Sequence, residues 1–445
     1  MRYSWRSLTA TMLATFCASP PASAQSPQPG FWDRPALLGP IGGLRPALDE
    51  HGVTLTLNDS ENLLGNLSGG VKQGATLQGV TTATLEVETG KAFGLAGGML
   101  HVSALQLHGQ GLSGPYLDNL QSANGNEGEN GTRLWELWYD QAFDHDLADI
   151  KVGQQSIDNE FMVSSYSGLF VNTMAGWPLL PSADLYGGGP AYPLATLGAR
   201  LQARLSPSTT LLAGVFDDNP GGGGFSTNAQ ARDGNGALFN LNTGALWIAE
   251  LQYSTMIGGL SGTYKIGYWY DSGSFPDQRF GTDGLSLANP ASNGTPWPHR
   301  GNDSLYGVLD QTIWQSSRDK ARSVNIFARI MAAPTAQNLI SFAFNGGVTM
   351  TAPWPGRDND QIGIDFGLGK ISPRAATLDR AAGLPARGTE DLFELTYQAQ
   401  LTGWLIVQPD LQYVINPGGG VLNPDNPGHK LANELVAGVR IVTSF

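Results

Sequence analysis

Residues 433–445 alternate between apolar and polar side chains with a period of two. Successive side chains of a strand face opposite sides of a sheet, so this stretch predicts a strand with one apolar and one mostly polar face. It ends on an aromatic residue, Phe445, and such a strand at the edge of a soluble sheet invites aggregation. A closed barrel with lipid outside and water inside removes both the free edge and the exposed apolar face. The stretch therefore favours a membrane barrel over an edge strand of a soluble sandwich.

On this strand the predicted outward face is Leu435, Ala437, Val439, Ile441 and Phe445, with Thr443 among them. The opposite face carries Glu434, Gly438, Arg440 and Ser444, with Val436 and Val442 as apolar exceptions.

The same alternation recurs along the chain in sixteen runs. An even number of strands is what an up-and-down barrel needs if its two ends lie on one side of the membrane. We therefore predict an all-β fold: a transmembrane antiparallel β-barrel of about 16 strands. The runs cover residues 53–58, 79–89, 98–110, 132–143, 149–155, 194–205, 210–217, 246–254, 262–271, 305–315, 323–332, 340–351, 361–370, 391–402, 405–415 and 433–445.

Aromatic residues recur near the ends of these runs, which is typical of the aromatic girdles of membrane barrels. The alternative is that they are core aromatics of a soluble β protein. The predicted girdle residues are Trp135, Trp138, Tyr139, Phe143, Trp314, Trp404 and Tyr413.

The connectors between the runs are unequal in length, as in membrane barrels with short turns at one end and long loops at the other. Residues 112–131, 219–243, 272–303 and 371–390 are long and rich in Gly, Asn, Asp and Pro. The longest connector, 156–193, also contains apolar residues, which predicts that it folds into the barrel and narrows it. An extracellular flap is the alternative. Its large apolar residues are Phe161, Phe170, Trp177, Leu179, Leu180 and Tyr186.

Residues 1–24 have the features of a secretory signal peptide: Arg2 and Arg6, a short apolar run, and a small-residue cleavage site at 22–24. The only cysteine, Cys17, lies in this leader, so the exported chain is expected to have no disulfide. Residues 25–52 are predicted to be a tether followed by a short helix at 44–51, and residues 53–445 the barrel. No stretch beyond the leader reaches the ~18 apolar residues of a spanning helix.

Composition and motifs argue against nucleic-acid binding and catalysis. The formal net charge is −13, an acidic balance that disfavours a nucleic-acid partner, and the 59 glycines suit many short strands and turns. Glu86 and Glu88 share a strand face, but strand spacing alone makes such carboxylate pairs common. His101 and His108 are predicted on opposite faces, so they form a poor metal pair. We expect no enzyme activity, no cofactor and no metal.

Three stretches resemble the carbohydrate-selective porins of Gram-negative outer membranes, the OprB-type family. They are residues 34–52, residues 152–161 with the sequences VGQQ and DNEF, and residues 394–419 with QPDLQYVINPGG. One departure is Pro40, where the family usually has Asp. The resemblance implies a sixteen-stranded outer-membrane pore with an eyelet of charged and aromatic side chains, through which sugars diffuse passively.

A sugar offers hydroxyl groups and an apolar ring face, so a selective pore needs polar or charged side chains and an aromatic. Charged groups on strands belong in the lumen, because Arg or Lys facing lipid costs about 2–4 kcal/mol at the midplane. For each residue the alternative is a solvated wall position or, for 158–160, a turn that caps a strand. The predicted pore-lining and eyelet residues are Asp158, Asn159, Glu160, Arg200, Arg204, Lys265, Trp269, Glu394, Gln408, Asp410 and Arg440.

The predicted function is passive uptake of small sugars, monosaccharides such as glucose. The alternatives are a general small-solute porin, a membrane-barrel hydrolase and a soluble secreted carbohydrate-binding protein. Expected partners are small sugars, outer-membrane lipid and lipopolysaccharide, and the barrel-assembly machinery acting through the strand that ends at Phe445. A homotrimer and a monomer are both open.

Overall fold

Sixteen antiparallel strands form one closed barrel in the computed structural model, which describes residues 30–144 and 146–445. The predicted signal peptide and the first residues of the predicted tether lie outside the described residues. The barrel strands are β1 Val53–Gly70, β2 Gly74–Glu88, β3 Gly98–Gly109, β4 Gly131–Phe143, β5 Ala148–Gln155, β6 Thr196–Ser206, β7 Thr209–Asp217, β8 Ala245–Ile257, β9 Leu260–Gly281, β10 Pro296–Gln315, β11 Ser323–Ala332, β12 Ile340–Thr351, β13 Gln361–Ile371, β14 Thr389–Thr402, β15 Leu405–Ile415 and β18 Ala432–Ser444. Two short strands, β16 Leu422–Asn423 and β17 Asn426–Lys430, form a separate hairpin outside the barrel sheet.

The barrel closes where β1 pairs with the last strand, β18, on one side and with β2 on the other. Each predicted run corresponds to one barrel strand, so the predicted fold is confirmed. The prediction ended the first strand at residue 58, whereas β1 continues to Gly70. The apolar–polar alternation of β1 is lost after residue 58 because the polar residues Asp59 and Glu61 lie on the same outward face as Leu63.

The predicted short helix near the start of the barrel is present as α1, Leu44–Glu50. It ends before Gly52, whose φ of +74° favours glycine and whose position beside Glu88 and Lys91 leaves no space for a Cβ. Within the described ranges, no helix has the length and apolar character needed to cross a membrane. The other helices are α2 Thr89–Phe93, α3 Leu179–Asp184, α4 Ala229–Arg232 and α5 Pro373–Ala381.

The strands separate an apolar outward face from a mostly polar inward face, as the period of two predicts. Ile364 and Leu395 are 52% and 47% exposed on the outward face, while the neighbouring Asp365 and Glu394 are buried inside. On β18 the predicted faces are also confirmed. The apolar exception Val436 is fully buried because loop residues inside the barrel pack against it. The polar groups therefore line the lumen, where water and other polar groups can satisfy them.

Short connectors lie at the barrel end near residues 53 and 444, here called the turn end, for example 207–208, 258–259 and 403–404. Most of the longer connectors lie at the opposite, loop end. These loops are L1 71–73, L2 110–130, L3 156–195, L4 218–244, L5 282–295, L6 333–339, L7 372–388 and L8 416–431.

The predicted aromatic girdle is correct only in part. Phe143 and Trp314 at the turn end, and Tyr413 toward the loop end, are exposed on the outward face. Trp135 and Trp138 instead face the lumen, where Trp138 lies opposite His101 across the β3–β4 pair. A β-bulge in β4 changes the phase of its alternation, which the sequence pattern does not reveal.

We expect Ile364→Arg to destabilise the folded barrel by about 2–4 kcal/mol, because the guanidinium would face hydrocarbon. Reversible unfolding from phospholipid vesicles in guanidinium chloride measures this change. The control is Ile364→Leu at the same position, which should change the free energy of unfolding by less than about 1.5 kcal/mol. Equal effects of the two substitutions would contradict the assignment of this face to lipid.

Candidate functional site

Loop L3 folds into the lumen and fills much of one side of it. The large apolar residues that suggested this are all buried, so the prediction of an inward-folded loop is confirmed and the extracellular-flap alternative is wrong. They pack on apolar inward residues of the wall, including Phe216, Tyr306 and Met331. The buried L3 residues are Phe161, Phe170, Trp177, Leu179, Leu180 and Tyr186.

Arg329 on β11 binds the backbone of L3 from the wall. Its Nη1 donates to the carbonyls of Met162 at 3.1 Å and Gly176 at 2.7 Å, and its Nη2 donates to the carbonyl of Met174. Its Nε donates to the side-chain oxygen of Asn345 at 3.0 Å, which orients the guanidinium. One buried cation thus satisfies three loop carbonyls that have no strand or helix partner.

Strands β8 and β9 also bind the start of L3, at Met162 and Val163. The N–H of Met162 donates to Oε2 of Glu250 at 2.9 Å, and the hydroxyl of Tyr306 donates to the same oxygen at 2.9 Å. Nζ of Lys265 donates to the carbonyl of Val163 at 2.6 Å. Lys265 also lies 3.8 Å from Glu250, so the two opposite charges that hold the loop compensate each other.

On the other side of the loop, Glu394 on β14 accepts the N–H groups of Val171 at 2.5 Å and Asn172 at 3.1 Å. Arg440 on β18 donates to the carbonyl of Val171 at 3.2 Å and to the side chain of Asn62 at 3.1 Å. An acidic and a basic wall residue therefore satisfy successive backbone groups of L3.

Loop L2 extends this layer inside the barrel. The N–H of Thr173 donates to the carbonyl of Ser122 at 3.0 Å, and the N–H of Gly125 donates to the carbonyl of Val171 at 3.0 Å. Glu390 on β14 accepts the N–H of Leu120 at 2.7 Å. Together, L2 and L3 cover most of the inward faces of strands β8 to β18, and they also reach the loop ends of β1 to β3. Inward residues toward the turn end of β1 and β2 stay at least partly exposed.

Charged side chains from β4, β5, β6 and the start of L3 meet on the β1–β6 side of the lumen. Glu160 of L3 contacts Lys151 and lies 2.5 Å from Nε of Arg200. Arg200 also contacts Asp149, and its Nη2 is 3.9 Å from Asp140. We call these five residues the β5–β6 ion cluster. It fixes the base of L3 to the wall with both signs of charge close together.

An aromatic ring lies next to the ion cluster. Nζ of Lys151 is 4.3 Å from the ring centroid of Trp138, and the imidazole of His101 stacks on Trp138 at 4.5 Å with an interplanar angle of 3°. Nδ1 of His101 lies 3.2 Å from Oε1 of Glu86. This side of the lumen therefore combines cations, carboxylates and an aromatic surface.

The residues that precede Glu160 form a tight turn at the start of L3. Asp158 accepts the hydroxyl of Ser156 at 2.6 Å and the N–H of Tyr192 at 3.0 Å. Burial raises the pKa of Asp158 above its ordinary value, while these two donors act against that shift. Asn159 is exposed beside it. Asp158 thus ties the two ends of L3 together, and Asn159 offers its amide to the water in the barrel.

The structure brings some predicted site residues together and separates others. Glu160 and Arg200 are in direct contact, whereas Arg204 is exposed at the turn end of β6. Lys265, Glu394, Gln408 and Arg440 bind the L3 backbone, Asp410 accepts a hydrogen bond from Gln412, and Trp269 is fully buried and has no exposed ring face.

Two arginines of the lumen were missed from the sequence. Arg329 lies in the middle of an alternating run, and that position alone indicates a lumen residue. Arg133 has the parity of an outward residue, but the β4 bulge at Trp135 turns it inward. It is 2% exposed, and its Nη2 donates to the carbonyl of Glu129 at 3.2 Å.

Residues 72–445 match the family described as Carbohydrate-selective porin, OprB family. Porin B of Pseudomonas aeruginosa is 25% identical over 442 residues, which covers 92% of this chain and 91% of that protein. The high-pH structure of Pseudomonas putida OprB superposes with a TM-score of 0.83 at 22% identity, covering 94% of this chain and 100% of that one. The outer membrane channel DcaP of Acinetobacter baumannii gives 0.51 at 10% identity over 88% and 97%. The two structural comparisons support the fold.

We expect Arg329→Ala to loosen L3, because three of its carbonyls lose their donor inside the barrel. The single-channel conductance in planar bilayers should rise roughly twofold as the loop leaves the wall. Arg322→Ala provides the matched control, because Arg322 donates to the carbonyl of Pro353 and has no bond to L3. An unchanged conductance in a folded Arg329→Ala barrel would show that Arg329 does not hold the loop.

Proposed function

Because this chain belongs to the OprB family of carbohydrate-selective porins, we propose that monosaccharides such as glucose diffuse past its β5–β6 ion cluster and Trp138. The chain is a sugar-uptake porin of the Gram-negative outer membrane and a channel, not an enzyme. The observation that carries the proposal is the position of L2 and L3. They cover most of the β8–β18 wall, and the partly exposed charged and aromatic groups Glu160 and Trp138 lie on the other side.

The chemistry of this lining suits a neutral polyhydroxylated solute. Glu160 accepts and Arg200 donates hydrogen bonds, so the pair can exchange bonds with sugar hydroxyls without creating a large net field. Trp138 supplies an aromatic surface of the kind that the apolar face of a sugar ring prefers. Glu160 and Trp138 are half-buried, so a solute bound to them stays in contact with water. Binding is then weak and the solute can leave. Selection then depends on width as well as on hydrogen bonding.

The remaining predicted site residues take a second role in this proposal. Lys265, Glu394, Gln408 and Arg440 set the width of the passage by holding L3, and Asn159 lines it. Asp158 keeps the turn that presents Glu160. Asp410 supports Gln412, which donates to the carbonyl of Ala123 in L2 at 2.7 Å.

We also propose contacts outside the lumen. Outer-membrane lipid and lipopolysaccharide surround the apolar outward face, and the barrel-assembly machinery recognises β18 with its apolar face ending at Phe445. The position of β18 between β15 and β1 supports this role, because its pairing with β1 closes the barrel.

Liposomes that contain the protein should swell faster in glucose than in an isotonic disaccharide, because the disaccharide exceeds the width left by L3. Arg200→Ala should raise the disaccharide-to-glucose rate ratio at least about twofold, since it removes a large side chain and one of the two cations that hold Glu160 on the wall. Arg204→Ala on the same strand is the control and should leave the ratio unchanged. Heat-modifiable migration in gels checks that each barrel is folded. Equal swelling in both sugars for the unaltered protein would contradict selection by size.

A further inference from the structure

The wall of the barrel is incomplete where loop L3 enters the lumen between β5 and β6. The pairing of β4 with β5 ends at Leu137 and Gln154, so residues 131–136 of β4 extend toward the loop end beyond β5. A strand edge without a neighbour presents unpaired N–H and C=O groups, and hydrocarbon cannot satisfy them. Another segment of the chain is therefore needed beside this edge.

Residues 235–236 of L4 occupy the place beside β4. The N–H of Leu134 donates to the carbonyl of Asn235 at 3.0 Å. Gly236 follows with a φ of +69°, and a Cβ at this position would collide with the carbonyl oxygen of Leu134. Only glycine allows both this backbone conformation and this close approach. L4 thus supplies a short replacement for the strand that β4 lacks at its loop end.

Gln154 shows on which side of the wall L4 lies. Its partners across the sheet are Leu137 and Leu197, and Leu137 is 42% exposed on the outward face, so Gln154 faces outward as well. Gln154 is nevertheless only 3% exposed. Its Nε2 donates to the carbonyls of Gly236 at 2.8 Å and Trp135 at 2.9 Å. L4 therefore covers an outward polar side chain from the outside.

From this point L4 crosses the outer side of the wall to β7. Phe216 packs on Phe161 of L3 and faces inward, so the next residue, Asp217, faces outward. Asp217 accepts the N–H of Asn240. Since β5 and β6 lie between β4 and β7 in the sheet, residues 237–239 cross the outward face at the loop ends of β5 and β6.

Side chains of L4 satisfy backbone donors of this crossing. The N–H of Ala237 donates to Oδ1 of Asn235 at 3.2 Å, and the N–H of Leu238 donates to Oδ1 of Asp233 at 3.0 Å. A segment that lies against hydrocarbon needs such internal partners for its N–H groups.

The residues that the crossing exposes are large and apolar. Leu238, Phe239 and Leu241 are 38%, 52% and 68% exposed. On the outward face of β8, Trp247 is 54% exposed, and it pairs with Val215, two residues before Asp217. The apolar surface of L4 therefore adjoins the lipid-facing surface of the strands.

Given the proposed contact of the outward face with outer-membrane lipid, we propose that residues 237–241 of L4 contact lipid acyl chains. These residues complete the wall of the barrel at the place where L3 enters the lumen. The loop end is the extracellular end of such a barrel, so the acyl chains are those of the outer leaflet. This part of L4 then belongs to the membrane-embedded wall and not to the mouth of the pore.

Electron paramagnetic resonance of nitroxide labels tests this contact. The labels are attached to Phe239→Cys and Leu241→Cys in L4, to Ile364→Cys on the lipid-facing surface of β13, and to Leu384→Cys, which replaces an exposed apolar residue of L7. In vesicles of phospholipid and lipopolysaccharide, oxygen, which concentrates in hydrocarbon, should relax the labels at 239, 241 and 364 most strongly. A water-soluble nickel chelate should relax the label at 384 most strongly.

The label at 364 separates this proposal from the lipid contact of the strands. If that label reports lipid, labels at 239 and 241 that the nickel chelate relaxes as strongly as the label at 384 overturn the proposal. Labels at 239 and 241 that neither reagent reaches also overturn it, because they are then buried against protein. Strong relaxation of the label at 364 by the nickel chelate would contradict the lipid contact of the whole outward face.

A second variant tests the attachment of L4 at the edge of β4. Gln154→Ala removes the bonds to Gly236 and Trp135, so the access of the nickel chelate to the label at 239 should rise roughly fivefold as the segment detaches. The matched control is Gln155→Ala, because the amide of Gln155 donates to the carbonyl of Gly198 at 2.9 Å and, among the described residues, not to L4. Heat-modifiable migration checks that both barrels are folded. Equal access in the two folded variants overturns the attachment of L4 through Gln154.

Discussion

The backbone of L3 crosses the inside of a barrel, so each of its buried N–H and C=O groups needs a partner that no ladder supplies. The wall supplies these partners with charged side chains, chiefly Arg329, Glu250 and Glu394. Their bonds end on backbone atoms, which is why the contacts depend little on the loop's own side chains. The loop's apolar residues then add packing against inward residues of the wall. The position of L3, and hence the width of the pore, follows from this satisfaction of buried backbone groups.

The asymmetry of the lumen is a consequence of where those side chains lie. Most of the side chains that bind the middle of L3 occur on β8 to β18, so the loop packs mainly against that half of the barrel. The opposite half keeps Glu160, Arg200 and Trp138 beside the passage. Charged residues of this barrel thus hold L3 from two sides: those on β8 to β18 bind its backbone, and the β5–β6 ion cluster fixes its base.

The sequence predicted the barrel well, because a period of two in hydrophobicity that recurs sixteen times fits strands with one face toward lipid and the other toward water. It also predicted that Arg200 lies inside the barrel, since charged groups within alternating runs point away from lipid. Glu160 was predicted from its place at the start of the longest connector. It could not predict that Lys265 and Glu394 bind L3, because that contact joins segments far apart in the chain. Nor could it predict that Arg133 faces inward, because a single bulge at Trp135 reverses the alternation.

The central claim, that L3 covers one half of the wall and leaves the other open, is tested most directly by cysteine accessibility. Cys17 lies in the predicted leader, so the exported chain offers a background for single cysteines. Thr84 is a partly exposed inward residue of β2, and Thr396 is an inward residue of β14 that is 1% exposed. A water-soluble methanethiosulfonate should reduce the single-channel current of Thr84→Cys and leave that of Thr396→Cys unchanged. Equal modification of both cysteines would contradict the account.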